Sequence, residues 1–249
     1  MSSASQHDRF GAFPDPAASG YLGTLTAEQE RLLHELRKRQ AARIAGEAPQ
    51  PAAEQFWAGQ PVFDTFAARP ATYRQAAHTF TLYDHPDAIL LRFLRANSWN
   101  VDGAGAMADS IFEWRLRTDI AGIVYHGESR VKPELLRKWL GYVQGSDRFG
   151  RPVCFFHIRH HSSADQTSDE MQRYVIYQME TVRAFLQPPV ETATIVVDMT
   201  GFSLGNVDLG FLQTLLRYIT SYYPEAVGLI AVYSAPWIFG SVWRVVQAL

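Results

Sequence analysis

Two groups of residues have the types and spacing that could support catalysis or metal binding, and the first is a serine motif. Gly201–Gly205 reads GFSLG and matches the G-x-S-x-G nucleophile elbow of α/β-hydrolases. In those enzymes the catalytic histidine follows the serine, whereas all eight histidines of this chain precede Ser203. The next helix is also predicted to begin around Asp208, several residues too late for an elbow. A hydrolase is therefore disfavoured, and no catalytic residue is predicted.

The second group, Cys154, His157, His160 and His161, combines the thiol and imidazole groups that bind transition metals. Its spacing matches no known ligand motif. Cys154 and His157 also lie at an odd spacing in a predicted strand, so their side chains should face opposite sides of a sheet. We expect surface histidines and no metal ion. Nucleotide binding is not predicted either, because no predicted strand is followed by G-x-G-x-x-G or a P-loop.

Composition limits the class of protein. The chain has 249 residues, 47% hydrophobic content and a formal net charge of -2, which gives no electrostatic reason to expect nucleic acid. A single cysteine, Cys154, excludes an intramolecular disulfide and is typical of a reducing compartment. The first twenty residues lack the apolar core of a secretory signal, and no window approaches the roughly 20 apolar residues of a membrane span. We therefore expect a soluble, cytoplasmic protein.

The elements that position these residues centre on Thr192–Tyr233, which is predicted to form a strand, a helix and a second strand. Continuous apolar strands indicate a sheet covered on both faces, and a crossover helix of this length makes the two strands parallel. The helix between Asp208 and Tyr222 is apolar on nearly every side. Such a helix is buried, or it packs one face on the sheet and another on apolar material.

The rest of the chain divides into a helical half and an α/β half. We predict a disordered N-terminus over 1–23, a helix and Pro/Ala-rich linker over 24–83, a helical lobe over 84–139, and an α/β lobe over 140–249. Thr26 and Gln29 have the spacing of a capping box at the start of the first helix. The linker is predicted to run from Gly46 to about Asp84.

Several motifs in fixed order resemble the CRAL-TRIO lipid-binding family, and most closely its secretory-pathway phosphatidylinositol transfer proteins. These motifs are LLRFLRAN, WRLR, GRPV, DMTGFSLGN, SYYPEAVG and APWIF, within Asp84–Leu249. The resemblance implies a non-enzymatic α/β protein, in which a helical lobe precedes a mixed, largely parallel sheet that floors an apolar pocket. Family members continue past APWIF, so the resemblance also implies that the C-terminal part of the lobe is missing after Leu249.

The resemblance assigns roles to particular residues. Glu225 of the YYPE motif corresponds to the family's glutamate that hydrogen-bonds the inositol ring, and Asn97 stands where the family has a phosphate-binding arginine, for which Arg95 could compensate. In the family, hydroxyl side chains on the central strand and a pocket tyrosine bind choline lipids. Ala193, Ile195 and Met179 stand at those positions in this sequence, so binding of phosphatidylcholine is disfavoured. The expected pocket residues are Phe155, Tyr174, Tyr177, Met179, Ile195, Val197, Phe202, Leu212, Leu216, Ile219 and Tyr223. A mobile gate helix is expected to contain Trp237, Phe239 and Trp243.

The composition of the α/β lobe agrees with lipid binding. From Leu186 to the end of the chain only six residues are charged. Each buried CH₂ group is worth about 0.8 kcal/mol, so a pocket exchanges acyl chains with a bilayer only if its wall is equally apolar. The expected function is binding of one phospholipid, most of all phosphatidylinositol, and its transfer between membranes by a monomer that docks transiently on them. The alternative is a sensor or scaffold that holds a sterol or retinoid-like ligand. No cofactor is expected beyond the bound lipid.

Overall fold

The computed structural model describes residues 19–46, 69–186 and 189–236, and within it the chain divides into two compact units. The helical unit contains the described residues up to Tyr125. The sheet unit begins at His126 and contains the rest. Each unit has its own core and is considered separately.

The helical unit is built from helices that pack around a core of aliphatic and aromatic side chains. Its helices are α1 Ala27–Ala45, α2 Arg69–Thr81, α3 Pro86–Ala96, α4 Val101–Arg117 and α5 Ile120–His126, the last ending at the boundary between the units. The predicted capping box of Thr26 with Gln29 is confirmed, and Asn100 caps α4 by accepting a hydrogen bond from the Gly103 backbone N–H.

Helix α2 corrects the prediction of a linker that continues to about Asp84. The helix buries Tyr73, Ala76, Ala77 and Phe80, which recur at the i, i+3, i+4 and i+7 positions of one helical face. Its alanines favour helix formation, and Pro70 lies in the first turn, where proline is tolerated. The periodicity was present in the sequence but was masked by the Pro/Ala-rich composition around it. Residues 47–68 of the predicted linker lie outside the described residues.

A buried carboxylate joins three helices of this unit. Asp109 of α4 is 2% exposed, and its two oxygens lie 2.6 Å from the Tyr73 hydroxyl of α2 and 2.9 Å from Arg43 Nε of α1. The Tyr73 hydroxyl is also 3.0 Å from Gln40 Oε1. Burial raises the pKa of Asp109, and the Tyr73 hydrogen bond and the Arg43 charge only partly oppose this. The contacts with Tyr73 and Arg43 therefore stabilise the Asp109 carboxylate in its buried position.

The sheet unit contains a four-stranded mixed sheet and confirms the predicted α/β fold class. Helix α6 Pro133–Arg137 precedes β1 Gly141–Ser146, β2 Pro152–His157, α7 Ser168–Ala184, β3 Ala193–Asp198, α8 Leu209–Arg217 and β4 Val227–Tyr233. The spatial order is β1-β2-β3-β4, with β1 antiparallel to β2 and the other neighbours parallel. The predicted strand, helix and parallel strand of the central stretch are thus confirmed.

The turn between β1 and β2 is held by one carboxylate. Asp147 accepts hydrogen bonds from the Phe149 and Arg151 backbone N–H groups, at 2.9 and 3.0 Å, and from the Thr194 hydroxyl of β3 at 2.7 Å. Gly150 has φ 77°, a left-handed conformation that glycine adopts without strain. Burial by itself would raise the pKa of Asp147, but the three hydrogen bonds together lower it. The GRPV motif is therefore part of the architecture of the sheet.

Replacing Asp109 should destabilise the helical unit strongly. Asp109→Ala leaves the buried Tyr73 hydroxyl and the Arg43 guanidinium, whose side chain is 11% exposed, without the carboxylate, and loss of one partner from such a group costs about 3–5 kcal/mol. The measurement is urea unfolding followed by circular dichroism. Asp102→Asn is the matched control, because Asp102 is 94% exposed in its ion pair with Arg39 and should cost less than about 1 kcal/mol. Equal losses of unfolding free energy in the two variants would contradict the structural role of Asp109.

Candidate lipid-binding site

An apolar cavity of about 230 Å³ lies between the sheet and the two crossover helices. Alternate residues of each strand face it, such as Cys154 and Phe156 in β2 and Ile195 and Val197 in β3, because successive strand side chains point to opposite faces. Helix α7 contributes Met179 and neighbouring residues to the opposite wall. The described lining is mostly hydrocarbon, and its polar side chains are few: Gln178 in the middle of α7, Arg183 near its end, and His161, Asn206 and Asp208.

Helix α8 supplies much of the wall without being buried itself. None of its residues is buried, yet Leu209, Phe211, Leu212, Leu215 and Leu216 all line the cavity. The helix contacts α7 and also lines the cavity, and both surroundings suit apolar side chains. It continues into one turn of π-helix, Tyr218–Tyr222, in which both tyrosines are buried.

Eight of the eleven predicted pocket residues line the cavity. These are Met179, Ile195, Val197, Phe202, Leu212, Leu216, Ile219 and Tyr223. Ile195 and Val197 are alternate residues of β3, so their side chains lie on the same face of the sheet. Their contact with a lipid stays a prediction.

The structure places the other three predicted pocket residues elsewhere. Phe155 stacks on Tyr142 at 5.2 Å, on the sheet face opposite to Cys154. The Tyr174 hydroxyl accepts a hydrogen bond from the Gly141 N–H at 2.8 Å, and the Tyr177 hydroxyl donates to Glu128 at 3.3 Å. Alternation along β2 would have favoured Cys154 and Phe156 over Phe155.

A buried ion pair closes the cavity at the end where β3 and β4 begin. Arg183 and Glu180 of α7 are 2% and 5% exposed, and their charged groups are 2.8 Å apart. The Tyr223 hydroxyl donates to the other Glu180 oxygen at 2.8 Å. Arg183 and Tyr223 line the cavity beside Ala193, the first residue of β3. Sequence reasoning missed this pair, since Glu and Arg three residues apart are typical of an exposed helix face.

The predicted head-group residues belong to different units. Glu225 of the sheet unit is exposed and has φ 53°, and it lies between the buried Pro224 and Ala226, which lines the cavity. In the helical unit, Asn97 ends α3 and its side-chain amide donates to the Phe93 carbonyl at 2.9 Å.

Arg95 of the same helix donates to the Gly20 carbonyl at 2.9 Å, and its guanidinium lies over the Tyr21 ring. Head-group contact by Glu225, Arg95 or Asn97 stays a prediction. The predicted gate residues Trp237, Phe239 and Trp243 lie outside the described residues.

The residues first considered for chemistry have other partners. His157 Nδ1 lies 3.0 Å from Asp198, which also accepts a hydrogen bond from the Thr200 backbone N–H at 2.8 Å. Hydrogen bonds from Thr200 and His157 lower the pKa of Asp198. The Ser203 hydroxyl donates to Asn206 at 2.9 Å. Among the described residues, no three His, Cys, Asp or Glu side chains are grouped so that they could hold a metal ion.

The fold and the cavity define an α/β protein with a binding site for a largely apolar ligand. Two family models identify the class further: a CRAL/TRIO N-terminal domain matches residues 34–107, and a CRAL/TRIO domain matches residues 136–249. The chain therefore belongs to the CRAL/TRIO family, which comprises lipid-binding and lipid-transfer proteins and not enzymes.

Three fungal relatives show the degree of similarity. A CRAL-TRIO domain-containing protein of Schizosaccharomyces pombe is 38% identical over 66% of this chain and 38% of its own length. Phosphatidylinositol transfer protein CSR1 of Eremothecium gossypii is 33% identical, over 66% and 39%, so the chain spans about two fifths of these relatives. The SEC14 cytosolic factor of the latter organism is 24% identical over 96% of this chain and 72% of its own length.

The fold is also found in a solved structure, a crystal structure of Sfh5. It matches with a TM-score of 0.59 and 16% identity, over 88% of this chain and 75% of that chain. This likeness shows the mixed α/β fold. Within the described ranges, no helix combines the length and the hydropathy needed to cross a bilayer.

Cys154 is the single cysteine of the chain, and its burial should make the thiol unreactive. Burial raises the pKa of Cys154 from its ordinary value of 9.0 to about 12, which lowers the thiolate fraction near neutral pH about 1,000-fold. Native protein should therefore react with iodoacetamide far more slowly than protein unfolded in urea. The double variant Cys154→Ala/Ser146→Cys carries an exposed thiol and provides the matched control. Similar native rates for Cys154 and the exposed thiol would contradict the burial of Cys154.

Proposed function

We propose that this protein binds one phospholipid, with phosphatidylinositol as its preferred ligand, and transfers it between membranes. The observation that carries this proposal is the cavity, whose wall of strand, α7 and α8 side chains is hydrocarbon along nearly its whole length. The relatives named SEC14 cytosolic factor and phosphatidylinositol transfer protein CSR1 support it.

The energetics of exchange favour such a wall. Transferring an acyl chain of about 16 carbons from water to an apolar site is worth on the order of 12 kcal/mol, at about 0.8 kcal/mol per CH₂. Exchange with a membrane is near balance only when the site and the bilayer interior offer similar surroundings. A wall of Leu, Ile, Val, Phe and Met meets this condition, and the half-exposed α8 gives the site a side that can move without exposing a packed core.

The identity of the head group rests on fewer residues. Ala193 and Ile195 line the cavity with hydrocarbon where family members that bind choline lipids present hydroxyl groups, and Met179 replaces a tyrosine. Glu225 stands exposed on the turn at the cavity's ion-pair end, where a carboxylate could accept hydrogen bonds from inositol hydroxyls. Arg95, or Asn97 through its amide, is the proposed phosphate contact.

The remaining parts of the proposal concern organisation and location. We place the lipid-binding lobe at 140–249 and the helical lobe at 84–139, preceded by the segments 1–23 and 24–83. Trp237, Phe239 and Trp243 belong to the proposed gate. The protein acts as a cytoplasmic monomer that contacts intracellular membranes transiently, without nucleic acid as a partner. It requires no metal or cofactor.

Vesicle-to-vesicle transfer tests the proposal directly. Donor vesicles containing labelled phosphatidylinositol or phosphatidylcholine are mixed with unlabelled acceptors, and the protein should accelerate movement of the inositol lipid. Ile195→Trp should abolish that acceleration, because the indole fills the cavity, whereas Val196→Trp places the same ring on the opposite face of β3 and should retain it. Thermal unfolding confirms that both variants are folded. No accelerated movement of any phospholipid by the wild-type protein would overturn the transfer proposal.

The head-group assignment has a narrower test. Glu225→Ala should weaken binding of phosphatidylinositol about tenfold or more, since a hydrogen bond to a charged group contributes about 1.5–3 kcal/mol. Binding of phosphatidylcholine should not change. Glu134→Ala is the control, because Glu134 is an exposed glutamate paired with Arg137 in α6 of the same unit. Equal affinities of Glu225→Ala and wild type for the inositol lipid would remove Glu225 from the site.

A further inference from the structure

A second cavity, of about 280 Å³, lies between the first turns of α7, the first turns of α8 and the loop that precedes α7. We call it the α7–α8 pocket. It is distinct from the apolar cavity, although Asp208 and Phe211 line both. Hydroxyl and amide side chains form much of its described lining, whereas leucine, isoleucine and valine dominate the other site. The two sites therefore suit ligands of different chemistry.

Gln166 gives the α7–α8 pocket an unused hydrogen-bond acceptor. Its side-chain oxygen Oε1 is shielded from solvent and has no hydrogen-bond partner within the part of the chain that the structure describes. Buried polar atoms are nearly always paired, so an unpaired amide oxygen in the wall of a cavity calls for a donor from outside the protein. Ser163 and Thr214 add hydroxyl groups to the same wall, and each can donate one hydrogen bond and accept others.

Other polar side chains of the pocket are held in place by bonds within the protein. The Gln172 amide donates to the Ser168 hydroxyl at 3.1 Å, and its oxygen accepts from the Tyr218 hydroxyl at 2.9 Å. The Phe211 ring stacks on His161 with a centroid distance of 4.8 Å. The shape of the pocket is therefore set before a ligand enters, which lowers the entropic cost of binding.

The charges around the pocket favour a neutral ligand. Asp208 is the only charged residue in the described lining, and its oxygens lie 2.8 Å from the Phe211 backbone nitrogen and 3.2 Å from His161 Nε2. A carboxylate with partners on both oxygens repels an anion and has little left to offer a cation. The start of α7 is not free for an anion either, because the Thr167 hydroxyl accepts from the Glu170 backbone N–H at 3.2 Å. Phosphate is therefore disfavoured.

One side of the pocket is apolar. Met171 and Val175 of α7 are 4% and 1% exposed and line it together with Phe211 of α8. We call these three residues the apolar floor. A ligand that fits must combine several hydroxyl groups with a hydrocarbon face, and a six-membered sugar ring has both.

We infer that the α7–α8 pocket binds a small neutral polyol of monosaccharide size. One ligand hydroxyl donates to Gln166 Oε1, others pair with the Ser163 and Thr214 hydroxyls, and the C–H face of the ring lies on the apolar floor. The inference goes beyond the proposed lipid-binding function and does not depend on it, since the ligand occupies a different cavity.

The methionines of the full chain provide reporters that distinguish the sites by ¹³C-methyl NMR. Met171 lines the α7–α8 pocket, Met179 and Met199 line the apolar cavity, and Met107 belongs to α4 of the helical unit. D-Glucose, D-galactose and D-mannose are titrated separately. At least one should shift the Met171 resonance saturably and leave that of Met107 unchanged. Tetrahydropyran, which has the ring without hydroxyl groups, and inorganic phosphate should not shift Met171.

Two substitutions of glutamine assign the binding to Gln166. Gln166→Leu keeps a side chain of similar size but removes the amide, so the affinity for the sugar should fall about fivefold or more, the effect of one hydrogen bond. Gln213→Leu is the control, because Gln213 is an exposed glutamine of α8 that does not line the pocket. It should leave the affinity unchanged.

Several results would overturn the inference. They are an unshifted Met171 with all three hexoses, an equal shift with tetrahydropyran, and a response confined to Met179 and Met199, which would place the sugar in the apolar cavity. A shift of Met171 by phosphate would identify an anion site instead and reject a neutral ligand. Unchanged affinity of folded Gln166→Leu also rejects the proposed contact. If that variant does not fold, Thr214→Val replaces it, because it removes a hydroxyl and keeps the shape, and it must weaken binding by a similar factor.

Discussion

The sheet unit depends on the pairing of β3 between β2 and β4. Both neighbours run parallel to β3, so each connection must cross over the sheet, and right-handed crossovers in the same direction put both helices on one face. Ordinary α/β cores fill the space beneath such helices with side chains. Here a cavity lies beneath the helices. The β3 side chains that face it are of small or medium size, namely Ala193, Ile195 and Val197. The side chains of β3 thus contribute both to the fold and to the wall of the site.

Helix α8 shows how an open wall is held without a packed core behind it. No residue of α8 is buried, so side-chain packing contributes less to its position than in a typical helix. Polar contacts at its ends replace that packing: Asp208 binds His161 at the start, and the Tyr218 hydroxyl donates to Gln172 of α7 beyond its end. The helix is therefore anchored over the cavity by polar contacts at its two ends.

Sequence reasoning recovered the elements well because their signals are local. Apolar runs and a capping box are signals that lie within a few residues of one another, and they located the start of α1 and the elements β3, α8 and β4 closely. It was less accurate where the decisive partner is distant in sequence. The carboxylate of Asp109 is explained by Tyr73 and Arg43, 36 residues and more away, and nothing near Asp109 indicates them. Helix α2 was missed for a different reason, since its composition resembles that of the linker before it.

The contrast between local sequence signals and distant partners also applies to the candidate site. Hydrocarbon lining could be predicted, because strand alternation and an all-apolar helix are visible in the sequence. The polar ends could not, because both are assembled from separate segments: Glu180 meets Tyr223 at one end, and His161 meets Asp208 at the other. At the first end both Glu180 oxygens have partners, whereas at the second the Nδ1 atom has none within the described residues. The two ends of the cavity therefore differ in hydrogen bonding, because the carboxylate at one end is paired internally and the imidazole at the other keeps a buried nitrogen without a partner among the described residues.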